Sequence, residues 1–319
     1  AAVCSEYGGP DVVRVSDAPS PALGSGQVRV RVRAAAVNFP DVLLVANKYQ
    51  ISVPTPFVPG SEFAGEVVEG DGLPAGTRVF GSCLNGAFAE EVVAPAASLA
   101  RTPDNVDDAH ASAFGVAHRT AYHVLRSFAG VQPADEVVVL GAGGGVGLAT
   151  VQLATALGAS VTAVASSDEK LAVAAAYGAR NVVDHRAGPL RDALRQVLPH
   201  GADVVVDPVG GELSEPALRA LHYGGRFVTV GYASGEIPRI PLNLVLLKGV
   251  VVRGFQMIDF LAHEPDELAR NEAELLILLA EGRATPHIGA TFAFADVAAA
   301  LQYVADGRAI GKVVLDVSG

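Results

Sequence analysis

The chain has 319 residues, of which 50% are hydrophobic and 18% charged, and its formal net charge is −11. This length exceeds what one hydrophobic core normally sustains, so we expect two domains. The composition is typical of a well-buried globular enzyme and excludes a disordered or fibrous chain. The negative charge argues against a nucleic-acid partner, which would require a clustered basic face.

The cysteine content and the apolar runs bear on the compartment. Cys4 and Cys83 are the only cysteines, too few for a disulfide framework and consistent with a reducing cytoplasm. The longest apolar candidates, 109–121 and 242–252, contain His, Arg, Asn or Lys, which argues against a membrane span. The start shows no basic segment followed by an apolar one. We expect a soluble cytoplasmic protein without a membrane partner.

The first hundred residues have a β-like pattern. Residues 27–33 alternate strictly between polar and apolar types, as in a half-buried strand. Segments 63–68, 77–80 and 87–93 resemble further strands, and Gly, Pro and Asp interrupt the rest. The first domain is therefore predicted to be mostly β.

Beyond a helical bridge near 107–128, predicted strands alternate with helices, which indicates a doubly wound parallel sheet. The predicted strands are 137–140, 161–164, 181–183, 204–206, 226–230 and 250–253. Residues 264–281 are predicted to be helical, and 290–317 to form a strand, a helix and a strand that return to the first domain. The predicted domains are 1–119 with 259–319, and 120–258.

The run VVVLGAGGGVG at 137–147 is the most informative motif, because it combines a strand, a phosphate-binding turn and a helix start. Glycine permits positive φ and lets backbone N–H groups approach a pyrophosphate, while the helix adds its positive dipole end. The register Ala142-x-Gly144-x-x-Gly147 departs from the usual fingerprint in having alanine first. Glycine-rich turns are also ordinary tight connections, but with these surroundings the motif predicts dinucleotide binding.

The end of the second predicted strand bears on which dinucleotide is bound. An NAD-selective domain places Asp or Glu about 20 residues past the loop, against the ribose 2′-hydroxyl. This chain has Ser166 and Ser167 there, followed by Asp168, Glu169 and Lys170. Hydroxyl and ammonium groups suit a 2′-phosphate, so we predict NADPH rather than NADH. Alternatively, a serine only caps the next helix and the lysine is a solvated charge; both interpretations can hold together.

Motifs spread from end to end resemble the medium-chain dehydrogenase/reductase family, in its zinc-free NADPH:quinone oxidoreductase branch that includes zeta-crystallin. They lie at 37–41, Tyr49, 57–66, 120–122, 142–147, 207–211, 231–235 and 311–315. The resemblance implies a Rossmann cofactor domain plus a mostly β GroES-like catalytic domain. It also implies a homodimer joined by edge strands near 250–253, where an exposed apolar edge would otherwise invite aggregation.

The zinc dehydrogenases of the superfamily use a Cys, a His and a second Cys as catalytic ligands. Motif alignment puts Asn38, Ser61 and Val116 at these places. An amide, a hydroxyl and an alkyl group do not make a tetrahedral zinc site, and two cysteines cannot form a four-cysteine structural lobe. We therefore predict no metal.

Without a Lewis acid, hydride addition to an electron-poor π-system remains feasible, which favours reduction of a quinone. The nearest alternative is an enoyl thioester or an α,β-unsaturated carbonyl compound. Lys48 is the only cation between Asp41 and Glu62, which disfavours a phosphate-bearing thioester carrier. An alternative of another class is a non-catalytic NADPH-binding protein, resembling the lens crystallins.

The resemblance places Asn38 and Tyr49 near the nicotinamide and the acceptor, with Asp41 close behind. The Asn38 amide would hold the cofactor or acceptor, and the Tyr49 phenol would donate a hydrogen bond or a proton. Other interpretations are a packing role for Tyr49, a turn amide for Asn38 and a cap for Asp41 on a helix starting at Val42. Solvent is an alternative proton source.

The resemblance also implies a set of coenzyme contacts. His185 stands where the family often has a tyrosine, so its pairing with Arg186 on the adenosine phosphate is an open alternative. Lys312 is expected either to reach the cofactor or to be a solvated cation. The full set is Asn38, Thr120, Gly144, Gly145, Val146, Gly147, Ser166, Ser167, Lys170, His185, Arg186, Val209, Gly231, Tyr232, Phe255 and Lys312.

Overall fold

The computed structural model describes residues 1–318, and the chain divides into two compact units. The β unit comprises Ala1–Val116 and Thr285–Gly319, and the α/β unit comprises Ala117–Ala284. The strands are β1 (Ala2–Cys4), β2 (Val13–Val15), β3 (Gln27–Val37), β4 (Glu62–Gly70), β5 (Arg78–Ser82), β6 (Glu91–Pro95), β7 (Leu99–Arg101), β8 (Glu136–Leu140), β9 (Ser160–Ala165), β10 (Asn181–Asp184), β11 (Ala202–Asp207), β12 (Leu221–Thr229), β13 (Val251–Gly254), β14 (Ile288–Ala293) and β15 (Lys312–Asp316). The helices are α1 (Phe39–Val45), α2 (Asp108–Ser112), α3 (Ala117–His123), α4 (Gly145–Ala156), α5 (Asp168–Ala176), α6 (Leu190–Val197), α7 (Ser214–Ala220), α8 (Leu242–Lys248), α9 (Met257–His263), α10 (Pro265–Ala280) and α11 (Val297–Ala305).

The β unit is built on a seven-stranded sheet in which β3 is the longest strand, with 11 residues. The strand order is β14-β15-β3-β4-β5-β7, and β6 pairs with the first half of β3. Val28, Val30 and Val32 are buried in one apolar core, as the alternating pattern predicts. β15 pairs antiparallel with β3, so the C-terminal segment belongs to this sheet.

The α/β unit contains a six-stranded, fully parallel sheet in the order β10-β9-β8-β11-β12-β13. This is the order of the dinucleotide-binding doubly wound fold. β8 and β11 are buried nearly throughout because helices cover a parallel sheet on both faces, which explains their uninterrupted valine runs. The predicted fold class is confirmed.

Residues 259–284, assigned to the first domain from the sequence, group with the α/β unit. Polar contacts tie α10 to α3: Arg119 Nε donates to Glu272 at 2.6 Å, and the Tyr122 hydroxyl donates to Glu274 at 2.6 Å. The buried Asn271 amide lies 3.1 Å from His123 Nδ1. These partners are about 150 residues apart in sequence. Within residues 1–318, no helix has both the length and the apolar content needed to cross a membrane.

Candidate functional site

The glycine-rich turn follows β8 and leads directly into α4. Gly141 has φ +61°, which favours glycine, and Gly144 is the N-cap of α4. A Cβ on Gly147 would collide with the backbone of Gly141 and Ala142, so only glycine lets the helix approach the strand this closely. Val209, on the loop after β11, packs over the turn, because its Cγ2 is the nearest atom to a Cβ built on Gly141, at 2.6 Å.

The first turn of α4 presents its backbone outward. Gly144, Gly145 and Val146 are partly exposed, and no side chain caps the helix N-terminus. A Cβ on Gly144 would have the Gly141 carbonyl oxygen as its nearest neighbour, at 3.5 Å, so this flank is open. Uncapped N–H groups at the start of a 12-residue helix form an anion site. The local geometry therefore suits a pyrophosphate.

A basic cluster lies at the carboxyl ends of β9 and β10. The stem of Lys170 lies against the turn, since a Cβ on Gly143 would be 2.6 Å from its Cβ and Cγ. Burial, and then the charge of Arg186, lower the pKa of Lys170, and the same two causes lower the pKa of His185. Mutual electrostatic effects place these three basic groups near one another, as an anion site requires.

The serines before α5 have different roles. Ser167 is the N-cap, and its hydroxyl accepts a hydrogen bond from the Lys170 N–H at 3.4 Å. Ser166 is partly exposed at the end of β9. The capping interpretation therefore applies to Ser167, while phosphate contacts by either hydroxyl stay a prediction.

The loops after the later strands hold further predicted contacts. The buried carboxylate of Asp207 accepts hydrogen bonds from the Val209 and Gly210 N–H groups at 2.9 and 2.8 Å and from the Ser214 hydroxyl at 2.6 Å. This fixes the loop that follows β11. Thr120 lies on α3, Gly231 is partly exposed after β12, and Tyr232 is exposed.

Phe255 does not offer its ring as an open contact surface. It follows β13, but it is only 6% exposed and packs with Phe128, Phe260 and His123 at ring-centroid distances of 5.1, 5.7 and 6.3 Å. The prediction of a coenzyme contact rested on position at a strand end. Aromatic packing within the α/β unit decides the orientation instead.

The β unit contains a buried polar cluster at the junction of β3, β4 and β15. Lys312 Nζ donates to Asn38 Oδ1 and Glu62 Oε1, both at 2.5 Å. The Asn38 amide nitrogen lies 2.9 Å from Glu62 Oε1 and 3.1 Å from the Ser61 hydroxyl. Glu62 Oε2 accepts the Val116 N–H at 2.7 Å. The amide expected to hold a ligand is thus fixed by buried charges.

Lys312 is neither a solvated cation nor directed to an open surface, because its side chain is 3% exposed and paired with Glu62. This corrects the expectation of a direct cofactor contact. Sequence reasoning missed Glu62, whose signal is an ionisable residue inside the apolar strand 62–68. A lysine at the start of another buried strand offers the matching charge.

Asp41 is the third residue of α1, not the cap of a helix beginning at Val42. Its Oδ2 accepts the Asn38 N–H at 2.7 Å, which closes the helix start, and it is 0% exposed. Burial, reinforced by the negative charge of Glu62, raises the pKa of Asp41 to about 7. Tyr49 is half-buried nearby, and its pKa is raised by burial and then by the charge of Asp41.

The zinc question depends on the donors. Asn38 and Ser61 are hydrogen-bonded to each other, and the place of the third ligand is held by Val116, whose N–H is directed to Glu62. Among residues 1–318, no group of three or more His, Cys, Asp or Glu side chains is arranged to hold a metal ion. These residue types do not fit a tetrahedral zinc site.

A surface groove of about 770 Å³ on the α/β unit lies apart from the glycine-rich turn. Its walls include Arg191, Arg219 and Arg239 together with Glu212 and Glu215. Arg219 and Glu215 form an ion pair at 2.7 Å. Because the wall charges alternate in sign, the groove selects neither anions nor cations.

Two family models match the chain: the alcohol dehydrogenase GroES-like domain over residues 24–104 and the zinc-binding dehydrogenase over residues 145–274. The chain is 36% identical to quinone oxidoreductase-like protein 2 of Bos taurus, over 99% of this chain and 91% of that protein. It is 35% identical to a homolog of that protein from Nematostella vectensis, over 99% of this chain and 88% of the relative. A 300-residue match to polyketide synthase GfsB of Streptomyces halstedii has 36% identity, covering 92% of this chain and 5% of the synthase.

Solved structures agree with these relatives. The quinone oxidoreductase of Thermus thermophilus, described together with its NADPH complex, superposes with a TM-score of 0.88 at 32% identity, covering 99% of both chains. A mycobacterial protein complexed with NADPH superposes with a TM-score of 0.90 at 31% identity, covering 99% of this chain and 98% of the other.

Proposed function

Because this chain belongs to the zinc-free quinone oxidoreductase-like branch of the medium-chain dehydrogenases/reductases, we propose that it reduces quinones with NADPH by hydride transfer. The observation that carries the proposal is the glycine-rich turn with a basic cluster beside it in the α/β unit. A quinone gains a hydride and a proton without needing metal activation, which matches the donor set of the β unit.

Coenzyme binding is assigned to two parts of the α/β unit. Gly144, Gly145, Val146 and Gly147 would receive the pyrophosphate at the N-terminus of α4. The 2′-phosphate would meet the basic cluster and the serine hydroxyls, which favours NADPH over NADH because a dianionic group gains most from paired cations. The assigned residues are Ser166, Ser167, Lys170, His185 and Arg186.

The remaining assignments concern the nicotinamide end and the acceptor. Thr120, Val209, Gly231 and Tyr232 are proposed to flank the coenzyme, since they lie on α3 or follow strands of the parallel sheet. Asn38, Tyr49 and Asp41 are proposed to serve the acceptor. Tyr49 would stabilise the developing oxyanion by hydrogen bonding, because its raised pKa keeps the phenol protonated at neutral pH.

A second candidate function is reduction of an enoyl thioester or an enone. The likeness to a stretch of a polyketide synthase favours it, and hydride addition to a conjugated carbonyl uses the same coenzyme geometry. Steady-state kinetics with NADPH and benzoquinone-type acceptors, crotonyl thioesters and enones would separate the candidates. We expect the highest kcat/KM with quinones. NADPH binding without turnover of any acceptor would contradict both and favour a non-catalytic binding protein.

We also propose a homodimer formed through an apolar edge patch. The patch comprises Tyr223, Leu242, Leu246, Leu247, Val251 and Val252. The first four are 72–80% exposed, and the two valines of the edge strand β13 are 49% and 45% exposed. Tyr223 lies beside Gly249 at the end of α8, so the helix and strand parts adjoin. A second copy would cover the apolar side chains and extend the open sheet edge.

A further inference from the structure

We propose that Asp41 stores the proton used in the reduction and delivers it through Tyr49, while Glu62 serves as the fixed counter-ion of Lys312. The inference deepens the proposed function, on which its catalytic half rests. Its basis is the unequal hydrogen bonding of two fully buried carboxyl groups that share one buried ammonium group.

Glu62 is surrounded by donors suited to a carboxylate. It accepts from the Lys312 ammonium at 2.5 Å, from the Asn38 amide nitrogen at 2.9 Å and from the Val116 N–H at 2.7 Å. Three donors, one of them charged, stabilise the ionised form even without solvent. Lys312 is therefore neutralised by Glu62.

Asp41 has a much poorer set of donors. Its Oδ2 accepts one backbone N–H, from Asn38, and its Oδ1 has no hydrogen-bond partner among residues 1–318. Asp41, Glu62 and Lys312 are 0%, 0% and 3% exposed, so ionising both carboxyl groups would leave one buried negative charge without compensation. A protonated Asp41 removes that cost.

The charged and titratable groups around Asp41 all act in the same sense except one. Glu62 on β4 disfavours a second negative charge, whereas Lys312 on β15 favours it. Tyr49 and Cys83 are neutral neighbours whose own pKa values are raised, first by burial and then by Asp41. When two acids lie in environments that separate their titrations, one serves as the acid and the other as a fixed charge.

The proton balance follows from this arrangement. Hydride addition places an electron pair on the acceptor oxygen, and the Tyr49 O–H bond breaks as the acceptor O–H bond forms. The phenolate takes the proton of Asp41, leaving a carboxylate near Lys312, and water then reprotonates Asp41. Asp41 thus acts through Tyr49 and is a positioning and storage residue, whereas Tyr49 is the proposed proton donor.

The first test is infrared difference spectroscopy of the protein between about pH 5 and about pH 9, with isotope-labelled aspartate. We expect the C=O stretch of a protonated carboxylic acid at the lower pH, its loss at the higher pH, and its absence from Asp41→Asn. Asp104→Asn, an exposed site with the same change of charge, is expected to keep the band. Absence of the band from the parent protein would overturn proton storage, whether or not a quinone is a substrate.

The second test is the pH profile of quinone reduction. In the parent, kcat is expected to fall above about pH 7 as Asp41 ionises. Asp41→Asn is expected to lower kcat by roughly 10- to 100-fold at lower pH, with little change in KM and no fall across this range. An unchanged pH profile in a folded Asp41→Asn protein would overturn delivery by Asp41. A failure of every acceptor in the parent would instead refute the proposed function and this use of the proton, leaving the infrared result to decide storage.

Discussion

The Lys312 ammonium and the Glu62 carboxylate lie 2.5 Å apart in the β unit although 250 residues separate them in sequence. The pair joins the start of β15 to the start of β4, and the Asn38 amide bridges the same atoms. Because both side chains are buried, each is the only means of neutralising the other, and the pair anchors the segment that carries the proposed acceptor residues.

Breaking this pair should be costly. Glu62→Gln leaves a buried ammonium without its counter-charge, so we expect the free energy of unfolding to fall by about 3–5 kcal/mol in urea titrations. Glu281→Gln is the matched control, because its partner Arg283 is exposed and the change should be within about 1 kcal/mol. Equal effects of the two substitutions would contradict the buried pair.

The third glycine of the turn should matter for folding and the first exposed one for binding. Gly147→Ala places a Cβ against the Gly141 backbone, so we expect a loss of about 1–3 kcal/mol of stability by thermal or chemical unfolding. Gly144→Ala meets nothing closer than 3.5 Å and should unfold like the parent while binding NADPH more weakly. A stable Gly147→Ala protein would mean that the helix does not approach the strand as described.

Coenzyme selectivity should depend on the basic cluster. Lys170→Gln and Arg186→Gln are each expected to raise the Kd for NADPH about 10- to 100-fold, the value of one charge-assisted contact, and to leave the Kd for NADH nearly unchanged. Fluorescence titration with both coenzymes measures this. Arg195→Gln, an exposed site on α6, is the control for loss of positive charge. Equal weakening of NADPH and NADH binding would exclude recognition of a 2′-phosphate by this cluster.

Asp41 should impose a pH dependence on stability. Its pKa in the folded protein, about 7, lies above the ordinary value of 3.8, so the folded state binds the extra proton between these values. The stabilisation relative to an ionised Asp41 is present below about pH 4 and is lost as pH rises to about 7, amounting to roughly 4 kcal/mol. Unfolding of Asp41→Asn, compared with the parent across this range, should lack that component. Parallel curves for the two proteins would contradict the raised pKa.

The apolar edge patch predicts the oligomeric state. Leu246→Glu places a charge at a side chain that is 80% exposed in the single chain, and we expect the dimer to shift towards monomer in sedimentation velocity. Ile277→Glu on α10 is the control, because Ile277 is also exposed, at 57%, but lies outside the patch. A monomeric parent protein, or dimers unaffected by Leu246→Glu, would argue against this interface.

The sequence by itself determined the doubly wound sheet and the turn at 141–147. Parallel strands buried on both faces appear as valine runs, and a turn that needs positive φ and a close backbone approach appears as glycine. Both signals are local, since the cause of each residue type lies within a few positions along the chain. The serine cap of α5 is local in the same way.

Only the tertiary structure decided where the charged and aromatic side chains go. Lys312 looked like a solvated cation or a cofactor contact, and its burial depends on Glu62, which a different strand supplies. Phe255 is turned into an aromatic cluster by Phe128 and Phe260, and residues 259–284 join the α/β unit through contacts of α10 with α3. In each case the deciding partner is distant in sequence, and the cost of burying a charge or exposing a ring is set by three-dimensional neighbours that no local pattern encodes.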